Sequence, residues 1–494
     1  MTPSPADPDE TPYVPDPRRW RILIVLLVTM FMSLVGVSIV NVALPSIQSG
    51  LDASQSDLQW VLSGYALTFG VVLVAAGRAG DILGRGPLFL AGVTVFTLSA
   101  VAAGLAPDPT SLNIARFVQG VGSGLLNPQV VGMIQQYFRG RERGRAFGAL
   151  GSVVGVSVAF GPLMGGLIIE TFGAETGWRW TFLVNVPVGI VAVVLALKWF
   201  PRPLLIRRSA APKTGKELSS VQPKQKFDLD PVGALLLGFS VLGLLLPFVE
   251  SEGSAWAWLL LPVGMALLGL WIMWERSYKQ RGGSPMVDLE LFRTRSFTLG
   301  TIIAGLYFLG VTSVWVLIAL YVQDGLGLSA LQTGLLGLPA ALLAAVSSNW
   351  AGKRVMDFGR KIVIGGIISA FVGLLLTVLV VQLEAAGILS IWWLLGSMCF
   401  VGLGQGSIIS PNQALTLAEV PQEYAGSAGG VLQTGQRIGT AVGLALVTAV
   451  FFAILALTDW TTAFTAAFSV IGIVVLVTLA VALADQRRRQ QQPV

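Results

Sequence analysis

The chain has 494 residues, 54% hydrophobic and 12% charged, about half the charge an ordinary soluble domain carries, which argues against a soluble fold. Lys plus Arg number 32 against 26 Asp plus Glu, a formal charge of +6. The single Cys399 excludes an intrachain disulfide or a zinc site of paired cysteines, and the absence of histidine removes His metal ligands and a Ser-His-Asp triad, so proton chemistry falls to carboxylates.

A bilayer span takes about 20 consecutive apolar residues, and fourteen such runs follow one another along the chain. Residues 1–21 hold six prolines and the acids Asp7, Asp9, Glu10 and Asp16. They read as a disordered cytoplasmic tail ending in Arg18, Arg19 and Arg21. The first run, 22–44, is too long for the core of a cleavable signal peptide and reads as a retained span. Runs at 58–76, 87–106, 112–136, 146–169 and 180–199 complete a six-helix bundle over 22–200. A basic cytoplasmic linker, 201–230, leads to two additional spans at 231–249 and 256–274 within 231–276, and a second linker covers 277–296. Six further runs, at 297–322, 331–350, 362–383, 388–413, 427–457 and 461–484, form a C-terminal bundle over 297–484, followed by a basic tail, 485–494.

Cytoplasmic loops retain Lys and Arg. With the N-terminus inside, 29 of the 32 cations lie on the cytoplasmic side, Arg179 lies outside, and Arg116 and Arg437 lie within spans. Both termini are therefore expected in the cytoplasm of a multi-pass plasma-membrane protein, and topology explains the basic charge without a nucleic-acid partner. One inside loop breaks the pattern, carrying Glu419 and Glu423 without a cation.

Three echoes recur at nearly constant offset. Asp81, Gly84 and Arg85 correspond to Asp357, Gly359 and Arg360; Gly120, Gly122 and Gly124 to Gly402, Gly404 and Gly406; Gly151 and Gly155 to Gly435 and Gly439. Each places span n on span n+8, which predicts two pseudo-symmetric six-helix bundles, as transporters often have.

The loop Gly77-Arg78-Ala79-Gly80-Asp81-Ile82-Leu83-Gly84-Arg85 combines turn-permitting glycines with an acid that favours a helix N-terminus and an arginine that pairs with carboxylates. Read with its echo, Asp357 and Arg360, it predicts a conformational latch rather than a merely anchored turn. Arg116 in span 4 must face a cavity or a partner, or else snorkel to the outer surface. Its neighbouring Gly-x-Gly-x-Gly is a helix-packing pattern, because Leu125 replaces the last glycine of a dinucleotide fingerprint and no strand precedes it. Gly161, Pro162, Gly165 and Gly166 give span 5 a small-residue face with a bend, suited to packing and to a rocking interface between repeats. Trp178-Arg179-Trp180 reads as an interfacial anchor. Arg437, about ten residues into span 13, calls for a cavity or an ion pair. Asn41, Gln119, Asn127, Gln405, Asn412, Gln433 and Gln436 are polar groups in spans and, with Arg437, are expected to line a substrate cavity.

Together these strings resemble the fourteen-helix drug/proton antiporter family of the major facilitator superfamily. The resemblance rests on Asn41-Val42-Ala43-Leu44-Pro45, Gly77 to Arg85, Arg116-Phe117-Val118-Gln119-Gly120, Gly161-Pro162-Leu163-Met164-Gly165-Gly166 and Trp178-Arg179-Trp180, and covers nearly the whole chain. It implies an all-α fold with spans 7 and 8 inserted between two bundles. It also implies export, an antiport element in Gly161 to Gly166, control of the inward-outward switch by Asp81 and Arg85, and proton coupling through Arg116. One departure stands out. Many members carry an acid in span 1 where this chain has Gly36, and every carboxylate here falls in a tail, a loop or a span end. Asp324, beyond span 9, is the best outer candidate for a coupling carboxylate, with Glu170 the weaker one; a solvated loop acid is the other reading of either.

The sequence thus predicts a secondary transporter, not an enzyme, that exports a small amphiphilic compound or antibiotic. It would need no cofactor or metal and would draw on the proton gradient; no phosphate-binding loop for ATP is present. The alternatives are a lipid or anionic-metabolite carrier, motivated by two intramembrane arginines, and a non-transporting receptor or scaffold, which the lack of long extramembrane domains disfavours.

Overall fold

A computed structural model describes residues 15–201, 228–249 and 255–490. Most of the N-terminal tail, the basic linker from 202 to 227, the loop acids Glu250 and Glu252 and the last four residues lie outside the described residues.

The first half comprises α1 (Arg19–Leu51), α2 (Gln55–Leu83), α3 (Arg85–Gly104), α4 (Pro109–Tyr137), α5 (Gly140–Phe172), α6 (Ala174–Leu183) and α7 (Asn185–Trp199). The inserted pair is α8 (Pro231–Val249) and α9 (Leu260–Gln280). The second half comprises α10 (Arg295–Leu320), α11 (Ala330–Phe358), α12 (Arg360–Ala385), α13 (Leu394–Thr416), α14 (Ala425–Leu455) and α15 (Trp460–Gln490). Among the described residues there is no strand. Thirteen helical segments there are long and apolar enough to cross a membrane. The remaining span, α4, is 29 residues long but carries Arg116, Gln119, Asn127, Gln129, Gln135 and Gln136, so it is too polar to stand in lipid and is sheltered by its neighbours.

The sixth predicted span is two helices that break at Val184. Its Trp178 is fully buried, with the Arg179 guanidinium over its ring at 4.3 Å. The reading of Trp178 as an interfacial anchor is corrected: Gly50 leaves room for the indole, which packs inward, while Trp180 stays exposed. Arg179 instead donates to the Gly104 and Ala106 carbonyls, at 3.2 and 2.7 Å, where its charge suits the C-terminal end of α3.

The helices pack with a repeated logic. In α4, Gly120 and Gly124 abut α2 while Gly122 abuts α3; in α13, Gly402 and Gly406 abut α11 while Gly404 abuts α12. A side chain at any of these glycines would collide with backbone or side-chain atoms of the partner helix, so the close approach depends on their absence. Likewise α5 rests on α1 through Gly161 and Gly165, and α14 rests on α10 through Gly439 and Gly443. The halves meet along two seams related in the same way, α5 with α11 and α2 with α14.

The inserted pair lies outside this arrangement, with α8 against α2 and α14. Ser240 on α8 donates to the Gly264 carbonyl of α9 at 2.9 Å. Asp230, held at φ 42°, accepts from the Trp274 indole at 2.9 Å and from the Gly233 amide at 2.9 Å, tying the start of α8 to the end of α9.

Candidate functional site

Helices α2, α4 and α11 open with side-chain caps of their own, Ser54 with Asp57, Asp108 with Ser111 and Ser329 with Gln332. Helix α14 has no local side-chain cap, and its first amides are taken from across the molecule. Asp81 at the end of α2 accepts from the Gly426 and Ser427 amides, each at 2.9 Å. It does for the second half's helix what an N-cap residue does locally, with a full charge facing the positive end of the helix dipole.

Arg85 holds the carboxylate in place. Its guanidinium lies 2.7 Å from Asp81 Oδ1 and donates also to the Gly132 carbonyl at 2.9 Å, to Gln136 at 3.1 Å and to the Gln422 carbonyl of the other half at 2.6 Å. Gly84, at φ 104°, supplies the turn that brings Arg85 back against Asp81, a conformation side chains rarely adopt. A Cβ on Gly77 would strike the Gly426 backbone, so α2 and α14 touch main chain to main chain. Gln135 donates to the Leu417 carbonyl at 2.7 Å, a third tie between halves. The elements of the predicted latch at Gly77, Asp81, Gly84 and Arg85 are thus gathered in one place.

The second copy is divided, which corrects the expectation that Asp357 and Arg360 act together. Asp357 pairs with Arg141 at the start of α5 at 2.8 Å, with both side chains well exposed, and caps no amide. Arg360 turns into its own half, 2.8 Å from the buried Asp485 and bonded to Asn412. The charges of the Asp81 seam are buried; the α5–α11 seam has its ion pair exposed and is otherwise held by close packing and by Ser152 and Ser348, which donate to the Ala345 and Gly148 carbonyls at 2.6 and 3.1 Å. There Gly148 faces Gly352 and Ser348, and Gly155 faces Ala341 and Ala345.

Two turns into α4, Arg116 is 1% exposed, which removes the snorkelling alternative. It donates to the Val61 carbonyl at 2.8 Å and to Gln119 at 2.7 Å, and lies 4.4 Å over the Tyr65 ring. The Tyr65 hydroxyl bonds Ser123, which bonds Ser33. One turn further along α2, Phe69 stacks on Tyr65 and carries Arg437 of the other half 4.4 Å from its ring centroid. Two adjacent rings therefore receive two guanidiniums, one from each half.

The predicted cavity set separates into two groups. Gln119, Asn127 and Asn412 are buried and bonded within their own halves, which corrects their assignment as cavity-lining groups: the glycine-rich packing of α4 and α13 draws them inward. Gln405 lines a small cleft between the halves with Gly151, Gly155, Ala344, Ser348 and Ile409. Gln433 and Arg437 lie on α14 next to the first half. Asn41 is exposed on α1, and Asp324 is exposed in a π turn after α10, with no hydrogen bond to any described residue. Gly161 and Gly165 contact α1, and Gly166 faces open space, so the Gly-Pro segment does not form the seam between repeats; the earlier turns of α5 do. Pro162 lies inside α5, which runs through it without a break.

Sequence reasoning missed Gln135, Arg141, Asp485 and the seam glycines Gly148 and Gly352. Gly144 and Gly148 repeat the four-residue spacing of Gly151 and Gly155 and were a readable signal. The acids Asp230, Glu275 and Asp485, placed by sequence in a linker, at a span end and in a tail, are each at most 1% exposed; α9 and α15 run on past their apolar runs and carry Glu275 and Asp485 with them.

The model of the Major Facilitator Superfamily matches residues 26–444 and 300–493. The chain is 35% identical over 454 residues to the probable actinorhodin transporter of Streptomyces coelicolor, covering 91% of this chain and 75% of that protein. It is 32% identical over 443 residues to the puromycin resistance protein pur8 of Streptomyces alboniger, covering 88% and 82%. Among solved structures, the human organic anion transporter MFSD10 superposes with a TM-score of 0.63 at 14% identity, over 94% of this chain and 100% of that one, a likeness of fold.

Proposed function

The chain belongs to the Major Facilitator Superfamily, and we propose that it is a secondary exporter that expels a small amphiphilic compound of antibiotic type across the plasma membrane in exchange for protons. As a multi-pass transporter of this superfamily, it has relatives that carry or confer resistance to antibiotics, such as the actinorhodin and puromycin proteins.

The observation that carries the reading is the capping of α14 by Asp81. A charge supplied by one half to the helix start of the other stabilises a single relative position of the halves and is lost entirely when they separate. Such all-or-none contacts suit a two-state rocking motion. The ties at Asp81, Arg85, Gln135 and Arg141 all lie on the face that carries the described chain ends. The distribution of Lys and Arg supports placing that face in the cytoplasm, which reads this arrangement as closed on the cytoplasmic side. Arg116, fixed to Val61 and Gln119 under Tyr65, is the group we assign to proton coupling, on the strength of the motif it heads.

The test is expression in an efflux-deficient bacterium with a panel of aromatic antibiotics. Resistance that is lost when the proton gradient is collapsed supports antiport; resistance that survives collapse refutes it, and no resistance to any compound refutes export. The absence of a carboxylate contact to Arg116 or Arg437 among the described residues favours, as a second reading, an anion carrier without proton coupling.

A further inference from the structure

Unlike Arg116 and Arg360, the half-buried Arg437 has no polar partner among the described residues. Arg116 is fixed by a carbonyl and an amide, and Arg360 by Asp485 and Asn412. Arg437 makes no hydrogen bond or ion pair with any described residue; its contact is the face of Phe69 across the seam, at 4.4 Å. Its guanidinium nitrogens are not among the buried, unpartnered atoms, so they reach open space rather than a sealed pocket.

The polar atoms around it are donors in want of acceptors. Gln433 Nε2 and the Thr434 hydroxyl, each about one turn earlier on α14, are buried without a hydrogen-bond partner. Helix α14 carries no acid along its length. The helices packed against it, α2, α4, α8, α10 and α15, carry carboxylates at their ends only: Asp57, Asp81 and Asp485. An unpaired cation at this depth is costly, and no carboxylate among the described residues neutralises it. A ligand bearing an anionic oxygen would, through charge-assisted and bidentate bonds of the kind guanidinium forms with a carboxylate, while the Phe69 ring beside it would meet its apolar body.

We propose that Arg437, with Gln433, reads an acidic group on the transported compound, so that the exporter selects amphiphiles carrying a carboxylate or an ionised phenol over neutral and permanently cationic ones. This deepens the export reading and rests on it for the identity of the ligand as cargo.

The test is equilibrium binding to the purified full-length protein in nanodiscs, using the fluorescent probe 9-anthracenecarboxylate and its methyl ester. The acid should bind about tenfold more tightly than the ester, the effect of one hydrogen bond to a charged group. Arg437→Gln should remove that preference, and Arg437→Lys should keep part of it, with both variants eluting as the wild type does on size exclusion. Equal binding of acid and ester, no binding of either, or a preference that survives in Arg437→Gln overturns the assignment. Transport of the same probes in liposomes separates the two claims: a binding preference without transport contradicts export alone, and transport without preference contradicts the role of Arg437 alone.

Discussion

The Asp81 carboxylate at the end of α2 accepts the Gly426 amide at 2.9 Å, and through that bond the last turn of a first-half helix caps a helix of the second. The same carboxylate is bonded to Arg85 and its side chain is 1% exposed. Breaking a buried pair by removing one partner costs roughly 3–5 kcal/mol. Asp81→Asn is therefore expected to abolish export while the protein still reaches the membrane, and to shift spin-label distances across this face toward the open state. Unchanged export and unchanged distances would refute the latch.

The seam glycines give a steric counterpart. A Cβ on Gly430 would lie 2.8 Å from the Leu73 carbonyl oxygen, and one on Gly148 would lie 3.0 Å from Gly352 Cα, so neither helix pair can close around a larger residue. Gly430→Leu and Gly148→Leu should each hold this face open and cut export to background, whereas Gly166→Ala, which meets no atom within 4 Å, should leave export unchanged. Cysteine cross-linking across the seam reports the closure directly.

Arg116 tests coupling. Its removal leaves the Val61 carbonyl and Gln119 without their donor and strips the Tyr65 ring of its cation. Arg116→Ala should abolish export with expression retained. Arg116→Lys, which keeps charge but not the fork of donors, should restore little. Export by Arg116→Ala at the wild-type rate would exclude it from the mechanism.

Arg360 and Asp485 form the contrasting case, a buried pair inside one half with Asn412 as third member. Asp485→Asn or Arg360→Gln should lower the stability of the detergent-solubilised protein by roughly 3–5 kcal/mol. Replacing both together should cost less than the two changes summed, because no lone charge then remains buried. A thermal-shift series on the single and double variants measures this.

How much of this was legible in advance follows from what each feature depends on. The spans, the repeated glycine triplets and the grouping of Gly77, Asp81, Gly84 and Arg85 are periodic or local, and periodicity survives in the sequence. The trans cap was half legible: Asp81 could be expected at a helix N-terminus, but its partner lies 345 positions away. The division between Asp357 and Arg360 could not be read, because Asp485 sits in what looks like a polar tail and becomes a buried partner only when α15 continues to Gln490. The cavity amides failed for a related reason. Hydropathy identifies a polar residue in a span without telling which face it takes, and the close packing of α4 and α13 turns Gln119 and Asn412 inward. Arg437 stood out by its depth in sequence, and its lack of any acid partner emerged only from the packing.

The most direct measurement is proton movement in liposomes containing the purified protein, with a pH gradient imposed and a pH-sensitive dye inside. Addition of 9-anthracenecarboxylate should start a proton flux that wild type supports and both Asp81→Asn and Arg116→Ala lack. Movement of the probe without any accompanying proton flux would contradict antiport, and no movement of the probe or of any aromatic antibiotic would contradict export itself.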